Sequence, residues 1–438
     1  MSNRRCVLVV FCLGALVSAC GSDPTPPEPT SGALELTIRT TGHDLDPDGY
    51  TVTVDAGSPL IASTNDTVTI PDLDPGAHTV TLAGLADNCT LETPAPLEVT
   101  VPGAAGAAAN LEITCTAIYT LAFRGDSGVE LTNAAGTVRR ALVPDENWRG
   151  TDPLAWSPDG RLLAVSMKND MGVVRVWLAN LDEGSFSKFS SAGELVAVQR
   201  TVGLWSPDGR ELLLEDVLIS NSSPVGLTRY PLDESSPPQG VYGVSLGMTG
   251  GVACPGHAKG ILWPDWSPDA SRIVICEASQ VYILSRDGTT KNLLAPGMQP
   301  DWSPDGSAIA YVAPVVGNST LRVIEPDGGN DRQLTVPPPD ETDTAPAWSP
   351  DGSRVAFLRL DHAPDGSVTS VHAYVVNQDG TDERQLGVLP VASFLPTWSA
   401  DGLHLAYSGA GGTYVVNADG SGFRLVSTHA TLPAQWRP

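Results

Sequence analysis

The hexapeptide Ala155-Trp-Ser-Pro-Asp-Gly160 returns almost unchanged from Leu204, Asp301 and Ala347, and in altered form from Asp265 and Thr397. In the altered copies Ala270 replaces Gly, and Ala400 replaces Pro. Tryptophan stands in this context at Trp156, Trp205, Trp266, Trp302, Trp348 and Trp398, and a last partial copy, Pro-Ala-Gln-Trp-Arg-Pro, holds Trp436. The successive spacings are 49, 61, 36, 46, 50 and 38 residues, close to the length of a four-stranded propeller blade. The 44 glycines, 37 prolines and alternating β-branched runs argue against helical repeats of similar period.

Each part of the unit has a mechanical reason. In Ser-Pro-Asp-Gly, proline presets φ for the first corner of a turn, Asp suits the second and Gly closes it. The Trp before it supplies a large apolar wedge between blades. A strand such as Arg354-Val-Ala-Phe-Leu-Arg359 follows, and a second hairpin then turns on Asp-Gly at Asp287, Asp327, Asp379 and Asp419. Before Trp156, the runs at 118–123, 129–133 and 138–143 match the later strands of a unit that lacks its Trp strand. Trp436 marks a Trp strand that lacks the rest. The two halves complete one blade. The expectation is an all-β chain with a seven-bladed β-propeller closed three-plus-one, preceded by a small β-sandwich. Closure removes unpaired sheet edges.

The recurrent unit resembles the WD40-like β-propeller repeats of TolB-like proteins and of the propeller domains of prolyl oligopeptidase relatives. The resemblance covers about 320 residues, and what it implies about function is weaker than what it implies about fold. By the mode TolB-like propellers suggest, it implies a surface that meets a protein partner.

Upstream, Arg4-Arg5 and the apolar run Cys6–Cys20 read as a secretory leader too short to span a bilayer as a mature helix. Val17-Ser-Ala-Cys20 resembles the bacterial lipobox, which implies lipidation at Cys20 and removal of residues 1–19. Gly21, where Asp would favour inner-membrane retention, points to the outer membrane. Residues 20–33 are rich in Pro, Ser and Thr and form a tether. From 34 to 116, short period-two runs separated by Gly, Pro and Asp read as six or seven strands of a β-sandwich. The stretch from Gly49 to Leu82 resembles immunoglobulin-like or carboxypeptidase-regulatory-like modules. The propeller occupies 117–438.

Seven cysteines are present. Setting aside Cys6, Cys12 and Cys20 leaves Cys89, Cys115, Cys254 and Cys276, an even number in an exported chain and hence two disulfides. Local pairing would join Cys89 to Cys115 and Cys254 to Cys276, although three connectivities are open. The formal net charge of −25 becomes −27 once Arg4 and Arg5 leave, which excludes nucleic acid as a natural partner.

Catalytic motifs are scarce. Gly243-Val-Ser-Leu-Gly247 fits the pattern of a nucleophile elbow around Ser245, but it lies inside a blade rather than between a strand and a helix. Arg124-Gly-Asp-Ser-Gly128 reads as a hairpin turn. The seven histidines, His43, His78, His257, His362, His372, His404 and His429, are scattered. Asp44, Asp46, Asp48 and Asp55 echo the first half of a calcium loop, with Asp rather than Glu at its twelfth position. A turn accounts for them, so no metal and no cofactor is expected. Trp148, Trp177 and Trp263 lie outside the repeat and are candidates for glycan contact. The reading is a non-enzymatic envelope lipoprotein whose propeller binds a protein partner. The alternatives are a peptide- or polysaccharide-degrading propeller and a carbohydrate-binding lipoprotein.

Overall fold

The computed structural model describes residues 31–45, 49–125, 128–142, 148–169, 174–182, 185–189, 198–218, 224–233, 237–243, 263–315, 318–390, 395–409, 411–428 and 434–438. Two compact units divide between Thr116 and Ala117. Among the described residues every regular element is a strand.

The first unit contains β1 (Gly32–Gly42), β2 (Tyr50–Val54), β3 (Leu60–Ala62), β4 (Thr67–Leu73), β5 (Gly76–Ala83), β6 (Cys89–Leu91), β7 (Leu97–Val101) and β8 (Ala107–Cys115). These form two four-stranded sheets, ordered β4-β1-β8-β6 and β3-β2-β5-β7. Burial alternates along β1, with Leu34, Leu36 and Ile38 inside and Glu35 and Arg39 outside. One core joins the sheets, with Leu36, Ile38 and Leu111 from the first and Tyr50, Val52 and Val80 from the second. Eight strands form where alternation foretells six or seven; the additional β3 and β6 have three residues each, too few to show a period. Cys89 and Cys115 face each other across β6 and β8 and form a disulfide closing a separation of 26 residues. Restricting the unfolded chain in this way contributes on the order of 3 kcal/mol.

The second unit forms seven four-stranded antiparallel sheets among its described residues. We number these blades in chain order. Blade 1 has Leu121–Gly125, Gly128–Thr132 and Arg139–Leu142, and takes its innermost strand from Gln435–Trp436 at the far end of the chain. Blades 2 to 7 occupy 148–188, 198–243, 265–296, 298–333, 341–389 and 397–427. Seven apolar clusters form the seams, each joining one blade to the next, and each contains one repeat Trp. The last seam unites Ala406, Val415 and Val426 of blade 7 with Leu121, Phe123 and Trp436 of blade 1.

The turn after each Trp is a closed hydrogen-bonded unit. The Ser hydroxyl donates to the Asp carboxylate two residues on at 2.5–2.6 Å in all six copies. The same oxygen accepts the backbone N–H five residues on at 2.9–3.0 Å. The Gly sits at φ 67–72° in five copies, a region that disfavours a Cβ. Ala270 adopts φ 56° in its place. The hydroxyls of Ser267 and Ser349, followed by the backbone N–H groups of Ser271 and Ser353, hold Asp269 and Asp351 down at about 2.

A further positional rule emerges at the seams. The residue six places after one Trp lies against the Trp of the next blade: Arg272 over Trp302 at 5.0 Å, Arg354 over Trp398 at 5.0 Å and His404 beside Trp436 at 5.9 Å. Leu162 and Ala308 take this place in the seams of Trp205 and Trp348. Glu211 occupies it before Trp266, and instead draws Arg286 across the ring by an ion pair of 2.9 Å. Arg437 covers Trp156 at 5.3 Å.

Candidate functional site

The innermost strands carry the Trp residues around the propeller axis, and consecutive strands are linked in two ways. In one, the indole N–H donates to the carbonyl of the residue before the preceding Trp. Trp205 donates to Ala155 (2.9 Å), Trp398 to Ala347 (3.0 Å), Trp436 to Thr397 (3.0 Å) and Trp156 to Gln435 (3.1 Å). In the other, a carboxylate takes over. Asp265 Oδ2 accepts the backbone N–H of Trp302, and Asp301 Oδ2 that of Trp348, both at 2.7 Å. The indole nitrogens of Trp302 and Trp348 then have no hydrogen-bond partner among the described residues.

Gln299 reinforces the same stretch, with Oε1 accepting from Thr344 Oγ1 at 2.6 Å and Ala345 N at 2.8 Å. The residues that precede the inner-strand prolines of blades 4, 5 and 6, Trp263, Gln299 and Ala345, all have positive φ, of 47°, 52° and 58°. Such backbone costs of order 1–3 kcal/mol per residue and persists where neighbours enforce it.

Asp265 and Asp301 therefore form a pair of neighbouring carboxylates on the inner strands of blades 4 and 5. Each residue is partly exposed, yet both carboxyl groups are packed closely among protein atoms. Burial pushes Asp265 up to about 7, against the backbone N–H groups of Trp302 and Trp266. Burial, and then the charge of Asp265, raises Asp301 well above the ordinary carboxylate range. Two such neighbouring carboxyls titrate as a coupled pair rather than independently.

The pair has a consequence for stability. Because the folded protein holds the Asp265 proton more tightly than the unfolded chain, its contribution is full below about pH 4 and is lost as pH rises through 7. Asp265→Asn retains a carbonyl acceptor for Trp302 and removes the titration. We expect it to raise stability at pH 8 relative to pH 5 by roughly 1–2 kcal/mol over the parent, a figure discounted for water contact. Urea unfolding at the two pH values checks this. A parent and variant with identical pH dependence would remove the pair from the account.

A second charged locus lies within blade 6. Arg359, 4% exposed, forms two bonds to the fully buried Asp343, Nε to Oδ1 at 2.6 Å and Nη2 to Oδ2 at 2.9 Å. Its Nη1 donates to Glu383 at 2.6 Å, and the guanidinium lies 4.6 Å from the centre of the Tyr374 ring. Burial raises the Asp343 carboxyl, and the guanidinium opposes that shift. Nearby, His372 contacts Asp361 and Ser370, both at 3.1 Å, and Gln385 at 2.9 Å, while His362 contacts Thr342 at 2.8 Å.

The residues singled out from sequence are placed as follows. All seven repeat Trp residues are buried in seams. Cys276 is buried in blade 4 and is disulfide-bonded; Cys254, its expected partner, and Cys20 lie outside the described residues. So do Ser245, His257, His429, Asp46 and Asp48. Strands pair on either side of the Arg124–Gly128 segment, as a hairpin requires. Asp55 is committed to His78 Nδ1 and Thr79 N, both at 2.8 Å, and Asp44 stands in the turn before residues 46–48. The second nitrogen of His78 meets the Asp74 carbonyl at 2.7 Å; that contact first, then Asp55, raises its pKa. Trp177 packs against the seam of blades 1 and 2. Trp263 precedes the innermost strand of blade 4, and Trp148 begins that of blade 2. Among the described residues no group of three His, Cys, Asp or Glu is placed to hold a metal ion.

The axial pair is not among the residues that the repeat motif singles out, although the repeat carries its signal: the residue before Trp is Asp in blades 4 and 5 and uncharged elsewhere.

Residues 277–437 match the family model described as TolB beta propeller domain. No curated protein matches the chain. Among solved structures, an oligogalacturonate lyase from Vibrio parahaemolyticus is similar at 16% identity and a TM-score of 0.50, over 71% of this chain and 85% of that one. TolB from Acinetobacter baumannii is similar at 15% identity and a TM-score of 0.44, over 68% of each chain. At 16% identity the likeness to the lyase is one of fold alone.

Proposed function

We propose that this chain, a TolB-like propeller joined to a β-sandwich, is a non-enzymatic lipoprotein of the bacterial cell envelope. Cys20 anchors it, and the propeller serves as a scaffold for a protein partner at the outer membrane. The observation that carries this reading is the outer rim. Four consecutive blades expose a large apolar side chain on or beside the outermost strand: Leu293 (58% exposed), Val336 (76%), Val388 (57%) and Leu425 (47%). Exposed apolar groups on strand edges are a liability in a free protein and an asset at an interface. The motif residues, by contrast, are engaged within the seams and turns, which leaves the rim to vary.

A second reading, a propeller that acts on a peptide or polysaccharide, is favoured by one observation. The raised Asp265–Asp301 pair is the kind of group that can hold a proton for general acid chemistry near neutral pH. Turnover of a polymeric substrate that ceases in Asp265→Asn would support it.

The scaffold reading is tested by placing a photo-cross-linker at Val388 or Leu425 in intact cells of the native organism, with Cys20→Ala as the mislocalised control. One discrete protein adduct, lost in the control, is the expected result. An absence of any adduct from these positions and from Leu293 and Val336, in correctly localised protein, would refute it.

A further inference from the structure

His78 stands on β5, only 8% exposed, between two turns of the sandwich. Its Nδ1 lies 2.8 Å from Asp55 Oδ2, just past β2, and its Nε2 lies 2.7 Å from the Asp74 carbonyl, in the turn between β4 and β5. Asp55 is also strapped to the next residue of β5. Its Oδ1 accepts the Thr79 N–H at 2.8 Å, and its own N–H donates to the Thr79 carbonyl at 2.8 Å. Its φ of 53° is a backbone state that persists where neighbours enforce it. One imidazole therefore joins the turn after β2 to the turn before β5.

The two partners fix the proton count of the ring. A backbone carbonyl can only accept, so Nε2 carries a proton. An ionised carboxylate can only accept as well, so Nδ1 carries one too. Asp55 is ionised in this setting, because the Thr79 N–H, and then the imidazole, hold its carboxyl below the usual carboxylate range. The ring that satisfies both contacts is the imidazolium. A neutral ring has one N–H and must give up one of them. The charged groups on the surrounding elements of its own end are acidic: Asp55 after β2, Asp72 on β4, Asp74 in the following turn and Glu98 on β7, which accepts the Thr79 hydroxyl at 3.0 Å. Glu35 and Arg39 of β1 and Glu112 of β8 lie on the exposed face of the other sheet.

We propose that His78 is a pH-dependent latch, a doubly protonated imidazole that ties the Asp55 turn to the Asp74 turn and lets one of them go when the medium becomes alkaline. The Asp74 carbonyl first, and then the Asp55 carboxylate, raise its pKa above the ordinary value of about 6.5. Because the folded protein holds this proton more tightly than the unfolded chain, the contribution is full below about pH 6.5 and is lost as pH rises through the folded value. Asp55 sets the acid limit. Its pKa is lowered, so its contribution is present above about pH 4 and is lost as pH falls through the folded value. The role employs the twelfth residue of the calcium-like run that begins at Asp44. It concerns the sandwich alone and does not depend on the scaffold reading.

The test is a pH titration of the full chain carrying isotope-labelled histidine, followed by NMR. The resonance that His78→Gln removes should titrate with a midpoint above about 6.5. Asp55→Asn, at a half-exposed side chain, keeps an acceptor for Nδ1 and removes the charge, so the same midpoint should fall. Hydrogen exchange of peptides that hold Asp55 and Thr79, corrected for the intrinsic effect of pH, should quicken through the parent's midpoint. Exchange at Thr90 and Thr114, which pair beside the Cys89–Cys115 disulfide, should stay level. The exchange readout needs no variant, so the proposal stays testable if His78→Gln does not fold. A midpoint at or below about 6.5 would overturn it, since the ring would then hold no extra proton in place. So would a midpoint that Asp55→Asn leaves unchanged, or exchange at Asp55 and Thr79 that shows no response to alkali.

Discussion

Replacing Trp436 with alanine should lower the stability of the propeller by about 3–5 kcal/mol, the range for removing a buried aromatic side chain from a packed core. Trp436 is 7% exposed, sits among Leu121, Phe123, Ala406, Val415 and Val426, and donates its indole N–H to the Thr397 carbonyl at 3.0 Å. Its strand has only two residues, Gln435–Trp436, pairing with Ala122 and Leu121. That side chain lies at the centre of the seam in which blade 7 meets blade 1, while Arg437 and Gln435 tie the same end to blade 2 through Gly160 and Trp156. The loss should therefore be accompanied by faster hydrogen exchange at the amides of Leu121–Phe123, ahead of blades 4 to 6. Urea unfolding and exchange by mass spectrometry check both parts. A loss under about 1 kcal/mol would mean that the ring does not depend on this closure.

The second large effect belongs to blade 6. Arg359→Ala strands Asp343, which is fully buried, and leaves Glu383 without its partner. Removing one member of a buried pair costs about 3–5 kcal/mol, because the remaining charge is uncompensated. Replacing the pair together, as Asp343→Leu with Arg359→Met, should lose less than Arg359→Ala alone, since no buried charge then lacks its partner. The comparison is a double-mutant cycle read by urea midpoint. Equal losses in single and double variants would show that the guanidinium acts through packing on Tyr374 and Phe357 rather than through charge.

These two cases mark how far the repeat could be read. Trp436 was visible because a residue type recurred at a fixed place, and the half blade before Trp156 called for a strand to complete it. The paired cysteines were visible for a related reason: locality favoured Cys89 with Cys115, and strand register then set them opposite. Position without a residue type was not visible. The place six residues after Trp is filled by Leu162, Arg272, Ala308, Arg354 and His404, which pack on the next Trp, and by Glu211, which draws Arg286 over it; this common place appears only once the blades are stacked. Arg359 and Asp343 are 16 residues apart and meet because their strands pair in that register. Arg229 and Glu211 likewise come together across paired strands of blade 3. Asp265 and Asp301 lie between these extremes, since the substitution is plain in the repeat while its meaning depends on which strands face the axis.

The central claim is that the propeller works through its rim rather than its axis. The most direct measurement compares partner recovery from native cells for two double variants, Val388→Glu with Leu425→Glu on the rim, and Asp265→Asn with Asp301→Asn at the axis. The account predicts that the rim variant loses the partner while the axial variant retains it. Retention by the rim variant together with loss in the axial variant would contradict it, and would move the function to the carboxylate pair of the inner strands.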